Sequence, residues 1–148
     1  MIADQIEREI KINAPLERVW ELVTVPGWWI GDGDLSIQTR SQDGETFIVD
    51  DPKYGRFFGK TVSIDPPGYA SCRWAAEFQT EIPSDGNSTL VEYFVTAEAG
   101  GTRLRVIESG FVSLAITQEA RDKAIERNTE GWEQQLGIIK AWAEQVAG

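Results

Sequence analysis

The segment from Gly100 to Gly148 constrains the fold of this chain more than any other. A Gly-Gly turn leads into Thr102-Arg103-Leu104-Arg105-Val106-Ile107-Glu108-Ser109, and a Gly110-Phe111 break follows. Side chains alternate across a strand. Leu104, Val106 and Glu108 therefore share one face, and Arg103, Arg105 and Ile107 the other, so a carboxylate stands in line with an apolar face. Beyond the break, Ile125, Asn128, Trp132, Leu136, Ile139, Ala143 and Val146 recur at steps of three and four. That spacing predicts one continuous helix from about Thr117 to Ala147, packed across a sheet. A strand that points a carboxylate at an aromatic-bearing helix predicts a lined cavity as well as a packed core.

The rest of the chain reads as an opening strand and a run of hairpins. Ile6, Arg8, Ile10 and Ile12 alternate with Glu7, Glu9 and Lys11. Pro15 stands where a helix accepts proline, at its first position, and Leu16, Val19, Trp20 and Val23 form its apolar face, with Pro26-Gly27 as the stop. Trp28-Trp29-Ile30 then forms a short second helix or an ordered loop. Strands are expected over Leu35–Arg40, Glu45–Val49, Arg56–Ile64, Tyr69–Gln79 and Thr89–Ala97, divided by Asp43-Gly44, Pro52, Pro66-Pro67-Gly68 and the 83–87 turn. The order strand, two short helices, six strands, long helix predicts a single α+β domain over 1–148. In it one curved antiparallel sheet of six to seven strands wraps the C-terminal helix.

Composition narrows the function. A net charge of −10 over 148 residues opposes binding to a phosphate backbone and to anionic membranes. No apolar run approaches a membrane span, and the N-terminus lacks the regions of a signal peptide. Cys72 is the single cysteine, which excludes an intrachain disulfide and makes the cytoplasm the expected compartment. There is no histidine, so the commonest general base and transition-metal ligand is missing. Asp32, Asp34, Asp50 and Asp51 lack the regular ligand spacing of a calcium loop. No metal and no cofactor are expected.

Several segments resemble a known family. Ala14-Pro15-Leu16-Glu17-Arg18-Val19-Trp20 after a strand is similar to the start of START-like, helix-grip (SRPBCC, Bet v-like) proteins. Ile64-Asp65-Pro66-Pro67, Arg73-Trp74, Gly101-Thr102-Arg103-Leu104, Ser109-Gly110-Phe111 and Asn128-Thr129-Glu130-Gly131-Trp132 resemble landmarks of one polyketide cyclase-related branch, that of the activator of heat-shock-protein ATPase homologue. Their order agrees over nearly the whole chain. The resemblance implies the helix-grip fold and supplies no shared catalytic set, because the fold hosts carriers, cyclases, hydrolases and chaperone partners.

Glu108 is the residue that alternation singles out. Burial would disfavour its ionised form, which makes it a candidate acid/base or ligand anchor, beside the plainer role of a strand-end carboxylate bonded to a neighbour. Tyr93 is the second catalytic candidate. The expected ligand wall comprises Trp28 and Trp29, as a lid, with Phe47, Phe57, Trp74 and Tyr93. Val106, Glu108, Trp132 and Leu136 complete it, and Phe111 plugs one end. Val62 and Ile64 are read as a further inner face. Trp20 and Trp142 are assigned to core packing, and Cys72 to the role of a small buried hydrophobe. Gly131, costly inside a helix, is read as a close approach of helix to sheet.

Three functions compete. The first is binding of a small hydrophobic molecule between sheet and C-terminal helix, with no cofactor. The second is a cofactor-free enzyme of cyclase, dehydratase or hydrolase type using Glu108, with Tyr93, as acid/base. The third, from the resemblance alone, is a chaperone-partner or interaction module; a homodimer is a separate expectation. The name-giving activator carries a further N-terminal domain, and none is expected here, which weighs against the third reading.

Overall fold

The computed structural model describes residues 4–33, 35–78 and 81–145. Period-two alternation builds seven strands: β1 Gln5–Ile12, β2 Thr39–Asp43, β3 Thr46–Asp51, β4 Gly55–Asp65, β5 Tyr69–Trp74, β6 Thr89–Glu98 and β7 Gly101–Ser109. Two helices join them, α1 Leu16–Val23 and α2 Gln118–Glu144. All neighbouring strands are antiparallel, in the order β1-β7-β6-β5-β4-β3-β2. β2 to β7 form a meander, and β1 closes the far side of β7. This is the expected α+β helix-grip architecture.

Register brings the inner faces together. Val91 opposes Glu108, Tyr93 opposes Val106, and Val95 opposes Leu104. Every one of these side chains is buried. α2 packs against this face through Ala124, Trp132, Leu136, Ile139 and Ala143, with Gln135 buried among them. Burying a side chain such as Leu136 or Ile139 contributes roughly 1.5–3 kcal/mol each. Its first turn is capped by Thr117, whose Oγ1 accepts from the Ala120 N–H at 3.1 Å. Arg121 ties the same end to the 3-10 turn that follows β7, donating to the Phe111 carbonyl at 2.9 Å. The predicted helix thus runs through Gly131 unbroken to Glu144, while its expected end at Val146 and Ala147 falls outside the described residues.

Four local expectations change. After β1 there is one α-helix, with Pro15 at its N-cap. The second short element is a single 3-10 turn at Leu35–Ile37, and Trp28-Trp29-Ile30 lie in irregular turns. The strand expected over 35–40 therefore begins only at Thr39. Gln38 is buried, and its Nε2 donates to the Ile30 carbonyl and to Asp51 Oδ2, both at 2.7 Å, which holds residues 35–38 against the preceding loop. The strand expected over 69–79 stops at Trp74 and gives way to a 3-10 turn at Ala76–Phe78. Val62 and Ile64 face outward, 53% and 55% exposed, where β4 pairing shifts between Thr61 and Ser63.

Gly101 shows how tightly β7 enters the sheet. A Cβ there would lie 2.2 Å from the Ile12 carbonyl oxygen, a backbone atom that cannot step aside. Gly101→Ala is expected to destabilise the protein by about 2 kcal/mol, read as a lower urea midpoint. An unchanged midpoint would mean that β1 and β7 separate freely at this end.

Candidate functional site

The early end of β5 leaves a gap between the sheet and α2, and that gap is a cavity of about 470 Å³. Four of its five aromatic lining residues form the walls, from four segments: Trp29 from the loop after α1, Phe57 from β4, Trp74 from β5 and Trp132 from α2, with Tyr54 at the rim. Trp29 and Trp74 meet at 85° with ring centroids 5.4 Å apart, and Trp29 and Trp132 lie 5.7 Å apart. Phe57 stands 6.1 Å from Trp74. On the helix side Asn128, Gly131 and Gln135 complete the wall. The Gln135 Nε2 donates to the Gly31 carbonyl at 2.8 Å, which pins the Trp29 loop to α2. Gly31 has φ +96, a left-handed conformation that glycine adopts without strain.

The rim is polar and its charges are paired. Arg127 on α2 reaches Glu77 of the 3-10 turn at 2.6 Å. Asp32 accepts from the Tyr54 hydroxyl at 2.7 Å and pairs with Lys53 at 3.2 Å, and these contacts hold its carboxyl below the ordinary value.

Glu108 lies behind the wall, with no exposed surface. Its Oε1 accepts from Trp132 Nε1 at 2.8 Å and from Asn128 Nδ2 at 3.2 Å. Its Oε2 accepts from Trp74 Nε1 at 2.8 Å and from the Thr89 hydroxyl at 2.5 Å. Indole and amide N–H groups only donate, so the arrangement fits a carboxylate anion. A proton on Glu108 could be handed only to Thr89. Burial pushes the carboxyl pKa up, and the bonds from Thr89, Trp74, Trp132 and Asn128 pull it partly back. Trp74, Asn128 and Trp132 thus do two things at once: they line the cavity and they hold Glu108.

The residues singled out in the sequence fall into two groups. Trp29, Phe57, Trp74 and Trp132 line the cavity. Trp28, Phe47, Tyr93, Val106 and Leu136 are core side chains that do not reach it. Trp28 is fully buried and packs on Trp132 and Tyr93, so it is no lid. Phe47 covers Gly59, where a Cβ would meet its ring at 2.0 Å. The Tyr93 hydroxyl lies 3.7 Å from the Cys72 sulfur. Burial raises Tyr93 well above its ordinary pKa and pushes the Cys72 thiol up to about 12, so both stay neutral. Phe111 is buried beyond the Asn128 end, beside Thr89 and Leu114. Trp20 and Trp142 pack against the core from its edge.

The rim residues Asp32, Tyr54, Glu77 and Arg127, and Gln135 behind them, carried no sequence signal of a shared site. Gly131 carried one that points elsewhere than expected. A Cβ at Gly131 would meet nothing within 4 Å, so the helix does not approach the sheet closely there, and the glycine instead leaves cavity space open. Among the described residues, no group of three or more His, Cys, Asp or Glu is placed to hold a metal ion. Asp50 pairs with Arg56, and Asp51 accepts the backbone N–H groups of Lys53 and Tyr54. Asp34 lies outside the described residues. Among the described residues no helix is long and apolar enough to cross a membrane.

Comparison with known proteins places this geometry. The fold is similar to that of protein MLL2253 from Mesorhizobium loti, with TM-score 0.72, 18% identity, and coverage of 97% of this chain and 99% of that one. It is similar to the Aha1 dimer from Colwellia psychrerythraea, with TM-score 0.69, 17% identity, and full coverage of both chains. DynU16, a protein of the dynemicin biosynthetic locus, aligns with TM-score 0.70 and 21% identity over 97% of this chain, which spans about half, 48%, of that one. No curated protein matches the chain significantly. The sequence pattern described as Activator of Hsp90 ATPase homolog 1-like protein matches residues 13–144, and with nearly the whole fold inside that match, the chain belongs to this family.

Proposed function

We propose that this protein binds a small, largely apolar molecule in the cavity between the sheet and α2. The observation that carries the reading is the open space of about 470 Å³ behind a paired polar rim, with aromatic walls supplied by four separate segments. Cavities of this size that combine apolar aromatic walls with placed polar groups are a usual form of small-molecule sites, and here polar residues of the rim and of α2 stand beside the aromatic walls. The acid/base reading of Glu108 has less support. Both its oxygens are occupied by donors and none of its surface is exposed, whereas a general base must reach the proton it takes.

A titration with the neutral dye Nile red tests this. Its emission should rise and saturate at one dye per chain, tryptophan emission should be quenched in step, and 4-phenylbutanol should displace the dye. Linear, unsaturable dye uptake, or no displacement, would remove the reading.

A further inference from the structure

The Glu108 carboxylate has no counter-charge. Its partners are two indoles, one amide and one hydroxyl, all neutral, and among the described residues no lysine or arginine forms an ion pair with it. The rim acids differ: Asp32 is balanced by Lys53 and Glu77 by Arg127. The unbalanced negative charge therefore lies at the back of the cavity. Buried charge is screened far less than surface charge, and an uncompensated one is costly. The side chains between that charge and the cavity are Trp74, Trp132 and Asn128, whose N–H groups point at the carboxylate while their residues line the open space. Trp74 also makes a near-perpendicular corner with Trp29. Aromatic faces attract cations, tryptophan most strongly, and more so when water is excluded.

We propose that the cavity selects a cation: an amphipathic amine or quaternary ammonium whose positive centre rests against Trp74 and Trp132 and supplies the counter-charge to Glu108. This rests on the cavity being a binding site, and it names the chemical class of the ligand. The apolar part of such a molecule has Phe57 and Trp29 to pack against. An anion of the same shape meets the Glu108 field with, among the described residues, no free cation in the wall to hold it, since Arg127 is engaged by Glu77.

The test uses three probes that share one tail: 4-phenylbutyltrimethylammonium, 4-phenylbutanol and 4-phenylbutanoate, titrated into the intact protein by calorimetry. The ammonium should bind about tenfold or more tighter than the alcohol, and the carboxylate weakest. If alcohol or carboxylate binds as tightly as the ammonium, the cation assignment is overturned while the cavity stands. If none of the three binds, the binding reading falls and takes this inference with it. Glu108→Gln should reduce the ammonium preference over the alcohol to within about twofold, whereas Asp32→Asn and the paired change Glu77→Gln with Arg127→Gln, which leaves neither member of that ion pair unbalanced, should retain it. Should Glu108→Gln fail to fold, the two rim variants still decide: loss of the preference in either would place its source at the rim and refute the assignment to Glu108.

Discussion

Glu108→Leu is expected to lose about 2–4 kcal/mol of stability in urea unfolding, and Glu108→Gln about 1 kcal/mol. The difference follows from the donors. Leucine fills much of the same space and removes the desolvation cost of the charge, but it leaves the N–H groups of Trp132, Trp74 and Asn128 with no acceptor. Each unsatisfied buried donor costs about 1–3 kcal/mol, reduced here where Trp74 and Asn128 border the cavity and can turn to water. Glutamine keeps one oxygen for Trp132 and Asn128. Its amide can donate to the Thr89 hydroxyl, so chiefly the Trp74 N–H is opposed. The pH dependence has a definite sign. Burial raises the Glu108 carboxyl above its ordinary value of 4.5. A group with a raised folded pKa contributes stability that is fully present below the unfolded value and is lost as pH rises through the folded one. The stability gap between wild type and Glu108→Leu should therefore be widest below 4.5 and narrow towards neutral pH. A Glu108→Leu protein as stable as wild type would show that the bonds around the carboxylate have no net worth. A gap that widens with rising pH would contradict the raised pKa.

That Glu108 faces inward could be read from eight consecutive residues, because alternation in a strand is local and needs no knowledge of the partner. The α2 stripe was legible for the same reason, with a different period. The identity of the donors was not. Trp74 reaches Glu108 across two strand pairings and Trp132 across a sheet–helix contact, and nothing in the intervals between residues 74, 108 and 132 encodes that meeting. The two adjacent tryptophans of the 26–33 loop show where periodicity ends. With no regular repeat there, Trp28 and Trp29 looked equivalent, yet one is sealed in the core and the other walls the cavity. Glu77 was hidden by an expected strand that would have run straight through it. The chain instead turns at Ala76–Phe78, and only that turn carries Glu77 to Arg127. Arg127 itself sits one position off the apolar stripe, where a charged residue is ordinarily read as solvated.

Gly131→Leu should make the protein more stable and, at the same time, unable to bind. α2 contains two glycines at which a Cβ meets nothing within 4 Å, Gly131 and Gly137. Glycine inside a helix costs about 1 kcal/mol relative to alanine, so either replacement by alanine should raise stability by about that amount. Only Gly131 borders the cavity; Gly137 is exposed. Gly137→Ala should therefore leave Nile red binding unchanged and serves as the control for helix stabilisation alone. Gly131→Ala should weaken it a few-fold. Gly131→Leu adds three further carbons into the open space between Trp132 and the opposite wall, and is expected to weaken binding by about tenfold or more, since a ligand loses both the volume and the close contacts that hold it. Better stability with worse binding separates a blocked site from a damaged fold, which would lower both. If Gly131→Leu is more stable than wild type and still binds the dye with unchanged affinity, the ligand does not occupy this cavity, and the residue that keeps it open has some other reason to be glycine.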